Sequence, residues 1–141
     1  MIEQAIRYHC ANNAGIAALA PSKTFIAGGV PESATRPYLT FQRISTMPTD
    51  SQDGDVGLDE ARFQFSAVAD TAAESLTLAA AVRTAFTGSG HRFVMATGQA
   101  YALTVLGCTV ESVRDTTQNP TDGAQRGPFT RITDIQFSFS L

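Results

Sequence analysis

The chain has 141 residues, of which 43% are hydrophobic and 16% are charged, and its formal net charge is −3. A chain of this length and apolar content can bury a core of its own, so we expect a single domain over residues 1–141. The acidic balance argues against a nucleic-acid binder that works by neutralising phosphates. The low share of charge is typical of a protein with much of its surface committed to contacts, and equally of a weakly charged monomer.

The sequence indicates neither a secretion signal nor a membrane span. The N-terminal stretch MIEQAIRYHC interleaves polar and apolar side chains, and no apolar run approaches the roughly 20 residues that a span needs. We therefore expect the protein to fold in a cytoplasm. The cysteines Cys10 and Cys108 lie far apart in sequence and favour free, mostly buried thiols, with a single disulfide between them as the alternative.

The N-terminal segment predicts a helix from residue 2 to about residue 19. Its apolar residues are spaced to form one helical face, and Asn12, Asn13 and Gly15 break or re-aim it. A short strand follows at residues 23–28. Pro37 opens the next strand, where a first-position proline is tolerated.

Two amphipathic strands flank an acidic stretch. In the first strand Leu39 and Phe41 share one face, and in the second Phe63 and Phe65 alternate with polar residues. This alternation is typical of antiparallel sheets with one buried face. The stretch between them predicts a mobile hairpin loop kept soluble by its charges, which are Asp50, Asp53, Asp55, Asp59 and Glu60.

Residues 71–87 predict a helix lying on the sheet. Thr71 and Glu74 match a capping box, and Gly88 follows as a C-terminal cap. The buried face of this helix is predicted from residues four apart, which are Leu78, Val82 and Phe86.

Two more strands are predicted, over residues 101–114 and 129–140. The last strand sets Ile135, Phe137 and Phe139 opposite Asp134, Gln136 and Ser138. The loop at 115–128 is rich in turn signals, and it either orders on binding neighbours or is a variable surface loop. The expected fold is α+β, with a mostly antiparallel sheet of four to five strands packed against an N-terminal helix and the central helix.

No catalytic, cofactor or metal site is predicted. His9 and Cys10 are adjacent, so on a helix they point about 100° apart, and no His or Cys pair has zinc-site spacing. The acidic stretch departs from the calcium-loop pattern, with a fortuitous divalent site as the alternative. The GSG at 88–90 follows a helix, whereas a phosphate cradle precedes one. We therefore expect no enzyme.

Several short motifs follow one another in a fixed order, namely PYLTFQR (37–43), RFQF (62–65), AVRTAF (81–86) and RGPFTRITDIQFSFSL (126–141). In order and spacing they resemble the tail completion, or tail terminator, proteins of long-tailed bacteriophages and gene-transfer particles. The resemblance spans nearly the whole chain. The residues that carry it are Pro37, Tyr38, Phe41, Gln42, Arg43, Arg62, Phe63, Gln64, Ala79, Val82, Arg83 and Phe86.

The resemblance implies a subunit that forms a ring, usually a hexamer, on the last ring of tail-tube protein. Such a ring stops tube polymerisation and offers the docking face for the head's connector, and DNA passes its channel without sequence-specific binding. The protein would then belong to the tail or neck of the virion after assembly in the bacterial host cytoplasm, without a membrane partner.

Candidate ring or tube contacts combine arginines, which are enriched at interfaces, with the acidic stretch. The carboxylates would suit the channel because like charge disfavours DNA sticking; tube-facing and outer positions are the alternatives. For Arg43 and Arg62, local pairing with the acidic stretch is the alternative. The candidates are Arg43, Arg62, Arg83, Asp53, Asp55 and Asp59.

Two other functions stay open at this point. A head-closure, or stopper, protein is also a small ring-forming neck component. A small-molecule-binding or enzymatic α+β domain is the more remote alternative, and it would need a pocket with convergent polar groups that the sequence does not nominate.

Overall fold

A computed structural model describes residues 2–51, 54–88, 92–117 and 129–140. The helices are α1 (Ile2–Ala11), α2 (Ala14–Leu19) and α3 (Ala72–Thr87). The strands are β1 (Thr24–Ile26), β2 (Tyr38–Ser51), β3 (Gly54–Ala69), β4 (Phe93–Met95), β5 (Leu103–Thr117) and β6 (Phe129–Ser140). The mixture of helices and one large sheet confirms the α+β class.

The described strands form one six-stranded sheet in the order β1-β2-β3-β6-β5-β4. The pairing of β1 with β2 is parallel, and the other pairings are antiparallel. The predicted count of four to five strands was therefore too low. The strand that the sequence did not reveal is β4, because a three-residue strand is too short for alternation to show.

The described part of the acidic stretch belongs to strands β2 and β3, so the prediction of a loop there was wrong for these residues. Backbone pairing includes Thr49–Leu58 and, after a shift in register, Asp50–Asp55 and Ser51–Gly54. Strand β6 accompanies β3 only as far as Leu58, so the hairpin continues past the end of β6 as a two-stranded extension. We call residues 49–51 and 54–58 the acidic arm. Its Asp and Gly content is typical of a loop, but pairing with the neighbouring strand outweighs that preference.

One face of the sheet packs against the helices and forms the core, as the strand alternation predicts. Leu39, Phe41, Phe63, Phe65 and Phe137 are at most 1% exposed. Phe86 of α3 closes the cluster, with ring centroids 5.2 Å from both Phe65 and Phe137. Aromatic pairs at this separation add to the stabilisation from burial.

Helix α3 has the predicted ends and the predicted buried face. The Oγ1 atom of Thr71 accepts a hydrogen bond from the backbone N–H of Glu74 at 3.2 Å, and Gly88 is the C-cap. The predicted stripe is confirmed because Leu78, Val82 and Phe86 are all buried. The cap satisfies one of the four backbone donors that a helix start leaves without an intrahelical partner.

The break in the N-terminal helix is also confirmed. Asn13 caps α2, and its Oδ1 accepts a hydrogen bond from the N–H of Ile16 at 3.1 Å. Both cysteines are free thiols, and burial raises the pKa of Cys10 and raises the pKa of Cys108 to about 12. His9 has a structural position, with Nε2 2.8 Å from the carbonyl oxygen of Ala85.

The other face of the sheet carries polar residues and has no described helix packed on it. We call it the open face. Strand β5 continues to Thr117, three residues past the predicted end, and residues 118–128 of the predicted loop lie outside the described residues. Asp134 was predicted on the solvent side of β6, and it does lie on the open face, but it is only 6% exposed. Because the helices pack on the opposite face, residues other than those of the core must cover Asp134.

Candidate assembly surfaces

A hydrogen-bonding network joins β3, β6 and β5 across the open face, and Asp134 is at its centre. The Oδ2 atom of Asp134 accepts from Oγ of Ser112 at 2.9 Å and from Nη1 of Arg114 at 3.0 Å. It also accepts from Nη2 of Arg62 at 3.3 Å. The two long arginine side chains cover the carboxylate, and this explains its low exposure.

The pKa of the Asp134 carboxyl reflects two opposing effects. Burial raises the pKa, but hydrogen bonds from Arg114 and Ser112 and the nearby positive charges lower it more. The net result is a pKa below the ordinary value for aspartate, so the group is ionised at neutral pH. The network is not saturated, because Oδ1 of Asp134 and Nε of Arg62 are buried without a hydrogen-bond partner among the described residues.

The network extends along the open face in both directions. Nη2 of Arg114 donates to Oε1 of Gln64 at 3.0 Å, and Nε2 of Gln136 donates to Oε2 of Glu60 at 3.3 Å. Its charged members are two arginines, Arg62 and Arg114, and two carboxylates. The charges therefore cancel, and this part of the open face is hydrophilic but electrically neutral.

Two of the candidate arginines are held within the subunit. Nη2 of Arg43 lies 2.8 Å from Oε1 of Glu3 in the first turn of α1, and its guanidinium lies 5.6 Å from the ring centroid of Phe63. Arg62 pairs with Asp134. Both therefore pair locally, and their charged partners among the described side chains lie in α1 and β6.

The third candidate, Arg83, lines a groove between α3 and strands β5 and β6, which we call the α3 groove. Two open cavities of about 190 and 280 Å³ share Leu76 in their walls. Leu76 is 44% exposed, and Val113 across the groove is 39% exposed. Nε of Arg131 lies 3.5 Å from Oδ1 of Asp115. Within the described part of the chain, the side chain of Arg83 makes no hydrogen bond or ion pair.

The candidate carboxylates belong to the acidic arm and its base. Asp59 is half-buried and pairs along the backbone with Pro48 and Phe139. Asp55 lies in β3 opposite Asp50, where the structure describes its backbone only. Asp53 lies outside the described residues.

The acidic arm and the α3 groove lie at opposite ends of the sheet. The pairing of β3 with β6 begins at Leu58–Ser140, beside the arm, and ends at Ala69–Phe129. Phe129 lines the α3 groove. A single subunit thus carries the two features far apart along its strands.

The sequence pattern did not reveal three of the residues that shape these surfaces. Leu76 lies off the buried stripe of α3. A leucine out of phase with such a stripe can indicate an exposed apolar side chain, so the sequence did hold a signal for this residue. Asp134 and Arg114 gave no local signal, because they come together only through the pairing of β5 with β6.

The described residues offer no group of three or more His, Cys, Asp or Glu side chains that could hold a metal ion. Among the helices described above, none is both long enough and apolar enough to cross a bilayer.

Comparisons with known proteins agree with the resemblance noted in the sequence. A chain of a solved structure, "Virion of native gene transfer agent (GTA) particle", is similar with a TM-score of 0.68 and 18% identity, covering 99% of this chain and 92% of that one. This likeness shows a shared fold. No sequence among the curated proteins matches. The family model described as "Tail completion protein gp17" matches residues 4–122. The chain therefore belongs to the tail completion protein gp17 family, and it is a structural protein of a phage-type virion tail, not an enzyme.

Proposed function

We propose that the protein is a tail terminator. In this proposal copies of the chain close into a ring, a hexamer in the resembled family, on the end of the tail tube. The ring stops polymerisation of the major tail tube protein and presents the docking face for the head-closure, or connector, protein. DNA passes through its channel without sequence-specific binding.

The observation that carries the proposal is the neutral, hydrophilic open face in a chain of the tail completion family. A channel wall that lets DNA slide must be wetted by water and must not hold phosphates. Each arginine of the network is paired with a carboxylate or an amide, so neither is available as an isolated cation. We assign the open face to the channel wall on this ground. The acidic stretch, which was the earlier candidate for the lumen, is then available for contacts between subunits.

The stopper is the closest alternative, because it is also a ring-forming neck protein. The two functions differ in what the ring binds. A terminator binds the end of a preformed tail tube, whereas a stopper binds a head that carries its portal.

The test is native mass spectrometry of the purified protein, alone and mixed with tail tubes, with electron microscopy of the tube ends. The terminator proposal predicts either a ring in solution or a monomer that is captured as a ring at tube ends. Binding to portal-bearing heads but not to tubes would support the stopper. Binding to neither would contradict both functions.

A further inference from the structure

We propose that the α3 groove of one subunit receives the acidic arm of a neighbouring copy of the same chain. This inference rests on the proposed ring and names the contact that would close it.

The groove has the properties of a docking site that the described residues of its own subunit leave empty. Leu76 and Val113 keep 44% and 39% of their surface exposed on its two sides. Arg83 lies beside them without a polar partner among the described residues, and Arg131 lies further along the wall. An arginine next to exposed apolar side chains is the combination that interfaces favour. The chemistry of the groove therefore calls for an occupant with both carboxylates and apolar side chains.

The acidic arm has the matching chemistry. Between Arg43 and Arg62 the sequence contains no lysine or arginine, and the arm itself carries two carboxylates, Asp50 and Asp55. The same stretch contains Val56 and Leu58 as apolar residues. A two-stranded arm that extends past the end of β6 can also reach a neighbour without disturbing the sheet from which it comes.

The two features lie far apart on one subunit, so a single arm–groove contact joins different surfaces of two copies. The arm leaves the sheet at the Leu58–Ser140 end, and the groove lies at the Ala69–Phe129 end. In the proposed ring this contact is heterologous, which means that it is passed from copy to copy and is not returned within a twofold pair. Heterologous contacts form closed rings when the rotation between copies closes. In a pair joined this way, one subunit keeps a free groove and the other keeps a free arm, so each can bind one further neighbour.

The first experiment reverses the charge in the groove. Arg83→Glu should raise the protein concentration needed for half-maximal ring assembly by about tenfold or more, a change of about 1.4 kcal/mol or more. Arg7→Glu is the matched control, because Arg7 is also an exposed helix arginine without a polar partner among the described residues. The control should assemble like the wild type. Circular dichroism and the unfolding midpoint confirm that both variants fold.

The second experiment cross-links the contact. Val113→Cys in the groove is combined in one chain with either Asp55→Cys or Val56→Cys in the arm. At least one arm position should cross-link under mild oxidation, and Val113→Cys without an arm cysteine serves as the control. A covalent ladder is expected, and the number of its rungs counts the subunits in the ring, whereas cross-linking that stops at the dimer would contradict the inference. The wild type should give no ladder, since the thiolate is the reactive form and burial raises the pKa of both native thiols.

The outcomes distinguish a failure of the arm–groove contact from a failure of the proposed ring function. If the wild type forms no ring, alone or on tubes, both are wrong. If it forms rings while Arg83→Glu assembles normally and neither arm position cross-links, the ring stands and the arm–groove contact is wrong. If Asp55→Asn leaves assembly intact and slows DNA ejection, the arm lines the channel, and the contact is again overturned.

Discussion

Arg114 on β5 donates from Nη1 to Oδ2 of Asp134 on β6 across 3.0 Å, and this ion pair ties the two strands together on the open face. The carboxylate is 8% exposed and its partner 47% exposed. A charge this well covered is stabilising only while its partners stay in place. The pair therefore links the stability of the sheet to the electrical neutrality of the surface that we assign to the channel.

Replacing Asp134 tests this link, because the effect on the free energy of unfolding should depend on pH. The folded-state pKa lies below the ordinary 3.8, so the stabilisation is complete at neutral pH and is lost as the pH falls through the folded-state pKa. We expect Asp134→Asn to lower the free energy of unfolding by about 1–3 kcal/mol at pH 7. The difference from the wild type should shrink as the pH is lowered below 3.8. Urea unfolding of both proteins across this range is the measurement, and a difference that does not change with pH would contradict the assignment.

Two leucines of α3 separate folding from assembly. Leu78 is fully buried and Leu76 is 44% exposed, and both lie in the interior of the same helix. Leu78→Ala should reduce the free energy of unfolding by about 2–5 kcal/mol, because it removes buried surface and leaves a cavity. Leu76→Ala should cost less than about 1 kcal/mol. Helix propensity cancels because the substitution is the same at both positions.

Chemical denaturation measures these stabilities, and native mass spectrometry measures assembly. We expect Leu76→Ala to weaken ring formation while it folds normally. Equal losses of folding stability in the two variants would show that Leu76 supports the core and not the groove.

The pair formed by Arg43 and Glu3 ties the start of α1 to β2. Both side chains are partly exposed, so the coupling should be small, about 0.5–1 kcal/mol in a double-mutant cycle of Arg43→Gln and Glu3→Gln. It should decline further as salt is added, because exposed charges are screened. Unfolding curves at low and high ionic strength check both statements. Zero coupling at low salt would leave the hydrogen bond to Thr46 and the cation–π contact with Phe63 as the interactions of Arg43.

Adding a positive charge to the open face tests its assignment to the channel wall. Thr109 is exposed there and pairs with Gln136 of β6. Thr109→Arg should leave ring assembly unchanged and slow DNA ejection, because unpaired cations facing the channel would hold phosphates. Gln4→Arg on the exposed side of α1 is the control and should have no effect. Equal ejection rates for wild type and Thr109→Arg would place the open face away from the DNA.

The parts of the fold that sequence predicted are those with a local cause. The capping of α3 by Thr71 and the stripe from Leu78 to Phe86 depend on residues within a few turns of each other. The alternation around Phe41 and Phe63 likewise needs only one strand at a time. Such features can be recognised in a short segment of the sequence, without knowledge of which distant segments pair with it.

The features that sequence missed depend on pairing over long separations. Asp134 resembles an ordinary solvent-facing strand residue, and it is covered by Arg62 and Arg114, which are 72 and 20 residues away. The acidic arm has a loop-like composition, and only its partner strand makes it regular. The strand β4 is held by β5 and has no pattern of its own. No local rule predicts an arrangement that two distant segments determine together.

Strand β1 is much shorter than its neighbour β2, and this leaves part of the edge of β2 uncovered by the described strands. Strand β1 pairs only with Leu39 to Phe41, so the described chain sets no strand beside the outer edge of β2 from Gln42 to Ser51. An uncovered edge of this length invites open-ended sheet growth. Pro48 has no N–H to donate there, and the nearby carboxylates repel a second identical edge. The tail terminator that we propose would end one polymer and must not start another, and the chemistry of this edge disfavours sheet growth that repeats without limit.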